Sequence, residues 1–250
     1  MTSPKYSLPI GLIACLGRDM LLLRKRDFHR DAIACIARLQ PPLKIIGSEH
    51  IPYCGPCVIT VNHYHRPGFG AHWLALAIAS LVPVNMQWIM TGEFTYPGMW
   101  YEWFGSRGSQ FLLGRIAQVY DFLTMPPMPP REKDVLARAA SVRAVLEYVR
   151  QAKTAILGLA PEGHDPPEEV LTRPPSGVGR FAFLLSRAGL KFFPVGAYEV
   201  DGAFHVHFGV AYELNIPPGL SPDEKDDQAS RIVMENIARL LPVHLRGEFA

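Results

Sequence analysis

Two short polar runs hold most of the residues that could do chemistry: Val61-Asn62-His63-Tyr64-His65-Arg66 and Ala160-Pro161-Glu162-Gly163-His164-Asp165. An imidazole can take a proton from a hydroxyl near neutral pH, which suits His63 to general-base work, and a carboxylate such as Glu162 can order the site or bind an acceptor. Each run lies at the end of an apolar stretch, Val58 to Val61 and Ala155 to Leu159, that reads as a buried strand. Ligands of α/β sheets gather outside the carboxyl ends of the strands, so the two runs are expected to converge on one site. Taken alone, His63 or Glu162 could equally be a hydrogen-bonded loop residue. A reading of His63, His65, His72, His164 and Asp165 as metal ligands fits no compact zinc spacing, and no metal is expected.

The elements that must position these residues alternate between strand and helix. Strands are predicted at Leu43 to Ile46, Val58 to Val61, Trp88 to Met90, Ala155 to Leu159 and Phe192 to Tyr198. Phe204, Val206, Phe208 and Val210 alternate with His205, His207 and Gly209, which predicts a half-buried strand with both histidines facing solvent. Helices are predicted from Ala71 to Val82, through the Val135, Ala139, Val142, Leu146 and Val149 stripe, from Gly177 to Arg187 before Gly189, and from Ser221-Pro222 onward. In the last of these, Asp223, Glu224, Asp226 and Asp227 mark a helix start, so they receive no catalytic role. Glu93 to Gly114, rich in glycine and aromatics, reads as an irregular segment whose Trp100, Tyr101, Trp103 and Phe104 could be core, lid or membrane contacts. Pro126, Pro127, Pro129 and Pro130 read as a linker. The expected fold is α/β: a mixed, largely parallel central sheet covered by helices on both faces, with an N-terminal helical segment at 1–42 and the α/β domain at 43–250.

Composition narrows the function classes. The 250 residues are 48% hydrophobic and 19% charged, which suits a globular chain. With 25 basic against 23 acidic side chains the net charge is +2, too little for general nucleic-acid binding. A mean hydropathy of +0.08 and 23 prolines suit a protein that touches a membrane through stiff connections. Pro67 to Gly92 lacks acidic and basic residues, but Pro83 interrupts it and His72, Asn85 and Gln87 are poorly placed in hydrocarbon; a buried helix and strand fit it better than a span. Leu8 to Leu23, cut by Arg18 and Asp19, is no ordinary signal peptide. Followed by Arg24, Lys25 and Arg26, it could lie in the headgroup plane with the basic cluster toward anionic lipid, or pack on the domain. Without a secretory leader, Cys15, Cys35, Cys54 and Cys57 give no disulfide framework and favour the cytoplasm; with the interfacial reading of Leu8 to Leu23, the expected location is peripheral on the inner face of the membrane. Cys54-Gly55-Pro56-Cys57 reproduces the active-site tetrapeptide of thioredoxin, yet the β-branched run after it predicts a strand rather than a helix, so it reads as a turn with two small apolar thiols.

Gly47-Ser48-Glu49-His50-Ile51-Pro52, then Gly55-Pro56, then Val58-Ile59-Thr60-Val61-Asn62-His63 resembles the opening of the PlsC-like glycerolipid acyltransferase family, the lysophosphatidic-acid acyltransferase group. Pro161-Glu162-Gly163 resembles that family's third motif and Phe193-Pro194-Val195 its fourth, and the likeness spans about Leu43 to Leu214. The resemblance implies acyl transfer from an acyl carrier protein or coenzyme A thioester to a hydroxyl of a lipid-type acceptor. His63 would act as base and backbone donors would hold the oxyanion. No cofactor would be bound; the thioester is the co-substrate. Substrate would be bound through Asn62, His65, Pro161, Gly163 and Arg173, at a peripheral membrane surface and without nucleic acid.

Departures from the family pattern shape this expectation. The family's His-x4-Asp ends here at Gly68, leaving Glu162, or else Glu93 or Asp121, to replace the orienting acid. The second motif falls around Val119-Tyr120-Asp121-Phe122 without its arginine, Asp165 stands where an arginine is usual, and Thr91 where a lysine is common before Glu93-Phe94. The expected acceptor is therefore not a simple glycerol phosphate, unless Arg107, Arg115, Arg173 or Arg180 supplies the missing charge. A catalytically inactive relative that binds lipid or acyl carrier is the alternative.

Overall fold

Residues 3–96, 98–128, 131–164 and 170–250 are described by the structure, a computed structural model. In chain order the elements are α1 (Ile10–Leu22), α2 (Phe28–Ile36), β1 (Lys44–Ile46), β2 (Cys57–Val61), α3 (His72–Leu81), β3 (Gln87–Thr91) and α4 (Glu102–Tyr120). There follow β4 (Leu123–Met125), α5 (Val135–Gln151), β5 (Ile156–Leu159), α6 (Val178–Arg187), β6 (Lys191–Val200), β7 (Ala203–Phe208) and α7 (Pro222–Ala238). The strands form one seven-stranded sheet in the order β1-β7-β6-β2-β5-β3-β4, parallel throughout except for the β6–β7 hairpin. This is the expected mixed, largely parallel α/β architecture.

The centre of the sheet explains its apolar runs. Every residue of β2 and of β5 is buried, and because successive side chains point to opposite faces, both faces of these strands must be covered. Thr60 pairs with Leu159 on one side and Pro194 on the other, so β2, β5 and β6 run level in one direction. Cys57 opens β2 rather than a helix, and burial pushes its thiol up to about 12. The tetrapeptide thus leads into a strand, in an environment opposite to one that favours thiolate.

The N-terminal segment packs on this layer. Helix α2 lies against α3, and Tyr6 joins an aromatic cluster with Phe69, Trp73 and Phe204. The apolar stretch from Pro67 to Gly92 folds into α3, which buries six residues from Trp73 to Ala79, and into β3. Among the described residues no helix is long and apolar enough to cross a membrane. His205 and His207 are the half-exposed positions of β7, His205 stacked on Tyr198 with ring centroids 5.3 Å apart.

Besides β4, which is not among the expected strands, two features differ from the sequence-based expectation. Much of Glu93 to Gly114 is not irregular: from Glu102 it belongs to the 19-residue α4. Ser109, Leu113, Ala117 and Tyr120 recur at helical spacing on its buried face, but Trp103, Phe104, Phe111 and Leu112 on the uncovered side hide that period. Asp226 also does more than mark a helix start. Ser221 and Glu224 form the capping box of α7, whereas the buried Asp226 accepts hydrogen bonds from the Gly177 and Arg180 backbone N–H groups, both 2.6 Å, and so caps α6 from a neighbouring helix. Of the four linker prolines, Pro129 and Pro130 lie outside the described residues.

Helices α6 and α7 approach closely at Gly179, where an added Cβ would stand 2.0 Å from the Asp226 carbonyl oxygen. Helix propensity favours Gly179→Ala by about 1 kcal/mol, but the backbone clash should cost about 1–3 kcal/mol or more. The thermal midpoint of the Gly179→Ala protein is expected to fall by several degrees. A rise in a melting experiment would show that the two helices are not held at this distance.

Candidate active site

The level ends of β2 and β5 bring His63 and Glu162 together. Glu162 is 1% exposed, and its Oε2 accepts the His63 backbone N–H at 2.5 Å. Its Oε1 accepts both the Thr172 N–H, at 2.8 Å, and the Thr172 hydroxyl, at 2.9 Å. Burial pushes the Glu162 carboxyl above the ordinary range, while these three donated hydrogen bonds pull it down. Among the described residues the three groups that meet its oxygens donate to them, which fits the ionised form. Pro161 is buried beside it, and Gly163, at φ 68, turns the chain in a conformation that glycine adopts freely.

The loop after β2 is fixed by further contacts. The buried Asn62 donates from Nδ2 to the Ala197 carbonyl at 2.8 Å and accepts the Ala197 N–H on Oδ1 at 2.7 Å, so its amide extends the ladder to β6 as a peptide would. Arg66 binds Glu199 through two hydrogen bonds of 2.8 and 2.9 Å, and the Tyr6 hydroxyl donates to the same carboxylate at 2.5 Å. Tyr64 packs edge-on against Phe69. Gly68, where the family pattern has its acid, is exposed at φ 81, and an added Cβ would meet nothing nearer than Arg66 Nη1 at 3.7 Å.

His63 itself is half-buried, with Nδ1 sealed from solvent, and borders a cavity of about 10 Å³ lined also by Asn62, Tyr64, Glu162, Leu171 and Leu245. That volume is close to the least that a water molecule needs. His65 is half-buried two residues on. A larger cleft, about 510 Å³, includes Arg187, Lys191 and Glu213. It lies by the start of β6, at the opposite end of the sheet from His63.

Other candidates are drawn elsewhere. Arg173 is exposed and pairs with Asp227 and Glu248 at 3.3 and 3.1 Å. Arg180 pairs with Asp223, while Arg107 and Arg115 lie over the Trp103 and Phe111 rings. Glu93 pairs with Arg131 at 2.8 Å, and Asp121, at the end of α4, pairs with Lys25. Asp165 lies outside the described residues. Among the described residues no group of three His, Cys, Asp or Glu side chains could hold a metal ion.

Sequence reasoning missed Thr172, Leu171 and Leu245. Leu171 donates its N–H to the Leu245 carbonyl at 2.8 Å, so the C-terminal turn closes the cavity beside His63. Nothing in the run Leu171-Thr172-Arg173-Pro174 marks Thr172 as the partner of a buried acid. Arg138 was missed too. It reaches Met128 Sδ and the Pro127 carbonyl, and an added Cβ on Gly163 would stand 3.0 Å from Met128 Cγ.

Replacing Glu162 by Gln would turn an amide NH2 toward donors already aimed at it, at a cost of about 1–3 kcal/mol. Glu162→Gln is expected to lower the thermal midpoint by several degrees, and Thr172→Val by less, since the Thr172 N–H remains. An unchanged midpoint for Glu162→Gln would mean that the carboxylate does not hold the loop.

No family model matches the chain, and no curated protein does. The fold is similar to that in the crystal structure of the 1-acyl-sn-glycerophosphate (LPA) acyltransferase PlsC from Thermotoga maritima, with a TM-score of 0.52 and 14% sequence identity. The match covers 93% of this chain and 84% of that one.

Proposed function

We propose that the protein is an acyltransferase that moves a fatty acyl group from an acyl carrier protein or coenzyme A thioester to a hydroxyl of a lipid-type acceptor other than a simple glycerol phosphate. The observation that carries this reading is the Glu162 carboxylate holding the His63 amide at the shared edge of β2 and β5. The fold it shares with an acyltransferase and the order of its motifs support the same reading. His63 takes the hydroxyl proton as the oxygen attacks the thioester carbonyl, and backbone N–H groups stabilise the tetrahedral oxyanion. On collapse the C–S bond breaks and the proton passes from His63 to the departing thiolate, which restores the base. No bound cofactor enters these steps.

Glu162, Asn62, Pro161 and Gly163 act as positioning residues in this scheme, because their contacts fix backbone. His65 and Arg173 are the polar residues assigned to the acceptor, Arg173 as a hydrogen-bond donor to its neutral oxygens while still paired with Asp227 and Glu248. The acceptor is read as unphosphorylated because all four arginines considered for the phosphate are engaged with acids or rings. The protein works at a membrane surface, peripherally on its cytoplasmic face, with the exposed Ile10, Ile13 and Leu21 of α1 toward lipid.

His63→Ala is expected to abolish transfer from labelled acyl thioester to extracted lipids while leaving the thermal midpoint nearly unchanged. A retained rate removes His63 from the mechanism, and a native protein without transferase activity favours the alternative, a lipid or acyl-carrier binder. Unphosphorylated alcohols should be preferred over lysophosphatidic acid; the reverse preference would overturn the acceptor assignment and point to Arg138. Gly68→Asp should raise the rate and lower the thermal midpoint slightly, since the exposed site has room but its φ strains a side chain by about 1 kcal/mol. A rate that does not rise would show that position 68 no longer serves the imidazole.

A further inference from the structure

Helix α4 has an outer face that the domain does not cover. At 100° per residue Trp103, Phe104, Arg107, Phe111 and Arg115 fall on one stripe, opposite the buried Ser109, Leu113 and Tyr120. Trp103, Phe104 and Phe111 are 57%, 69% and 62% exposed, and Trp100, just before the helix, is 91% exposed. Isolated exposed apolar residues need no explanation, but four aromatic rings over twelve residues form a patch with a purpose.

The charges on this stripe identify its partner. The Arg107 guanidinium carbon lies 4.3 Å from the centre of the Trp103 ring, and that of Arg115 lies 5.0 Å from the centre of the Phe111 ring. Each arginine is therefore carried on an aromatic body, as when a ring enters the acyl boundary and the guanidinium stays at the level of the phosphates. The acid of this helix, Glu102, stands at its first position, on the other side of the stripe. Aromatic residues with interspersed arginine fit the interface of an anionic bilayer.

A latch joins α4 to the N-terminal helices. Lys25 donates to the Gln118 carbonyl at 2.8 Å and pairs with Asp121, and the Arg26 N–H donates to the Val119 carbonyl at 2.9 Å. Arg26 also binds the buried Asp19 and Asp31 at 2.6 and 2.7 Å, and Asp31 accepts the Tyr120 hydroxyl at 2.7 Å. Two cations of the basic cluster thus serve the end of α4, where the helix dipole favours positive charge, instead of facing lipid. In return α4 is held beside α1, whose Ile10 and Leu21 are 83% and 79% exposed.

We propose that α4 is a membrane-docking element: Trp103, Phe104 and Phe111 insert into the headgroup boundary of an anionic bilayer while Arg107 and Arg115 bind lipid phosphates. This rests on the membrane-surface part of the proposed function and is independent of the chemistry at His63. In co-sedimentation the intact protein should bind vesicles of phosphatidylcholine mixed with phosphatidylglycerol, and lipids brominated in the acyl chain should quench its exposed tryptophans. Changing Trp103, Phe104 and Phe111 together to Ala should lower the partition coefficient at least about tenfold. Changing Arg107 and Arg115 to Gln should weaken binding to the anionic vesicles by about tenfold and binding to pure phosphatidylcholine by much less. His63→Ala should bind as the unaltered protein does, so loss of docking and loss of acyl transfer read out separately. Absence of vesicle binding, unchanged binding of the triple variant, or a dimer in solution that shields these tryptophans would overturn the proposal. Should the triple variant fail to fold, quenching in the unaltered protein and binding by Phe111→Ala decide it.

Discussion

An almost fully buried carboxylate that meets three neutral donors organises the edge of the sheet. Removing a charge from water costs several kcal/mol, and Glu162 offsets part of this through the N–H of His63 and the N–H and hydroxyl of Thr172. The contact joins the end of β2 to the end of β5, 99 residues further on, and, through Thr172, to the segment that hydrogen-bonds the C-terminal turn through Leu171 and Leu245. None of these stretches has regular structure of its own at the junction, so the backbone of His63 is held there by a polar contact. The desolvation that makes Glu162 costly also makes the junction intolerant of a missing donor.

The loop that carries His63 has its other end fixed by a second ionic contact. Arg66 and Tyr6 meet on Glu199 of β6, which draws the chain before α1 onto the edge of the sheet. Burial, and after it the hydrogen bond to Glu199, push the Tyr6 hydroxyl well above the ordinary tyrosine range, which favours its role as a donor. From Tyr6 the chain enters α1, and at Lys25 and Arg26 it grips the end of α4. The N-terminal segment is thereby tied to the candidate site and to the exposed aromatic helix at once.

The sheet was legible in the sequence because its central strands are unbroken apolar runs of strand length, and the convergence of Asn62-His63 with Pro161-Glu162-Gly163 followed from strand direction alone. Helix α4 was illegible for a physical reason: a helix with apolar residues on both its buried and its outer face has no contrast at the helical period. Local signals also cannot report a partner distant in sequence. Asn62 reads as a binding residue until β6 is beside it, Asp226 reads as part of a helix start until α6 arrives, and Thr172 carries no mark at all. What eluded the sequence reading of the site is its scaffold, because buried polar contacts depend on which ends of which elements meet.

The distribution of positive charge connects the proposed acceptor with the proposed surface. Three positions where the resembled family has cations hold none here, and the four arginines that could replace them occupy other places. Two of those four, Arg107 and Arg115, rest on the exposed rings of α4. A guanidinium stacked on an aromatic ring beside solvent can meet phosphates presented in a plane, whereas a phosphate inside a cleft needs donors that converge on it. Among the described residues, the cavity beside His63 is lined by Tyr64, Leu171 and Leu245 together with Asn62 and Glu162, whose polar atoms bind backbone and Thr172. A site of that kind places a neutral hydroxyl at lower cost than an anion, and in the reading proposed here the protein binds phosphate through the membrane rather than through the acceptor.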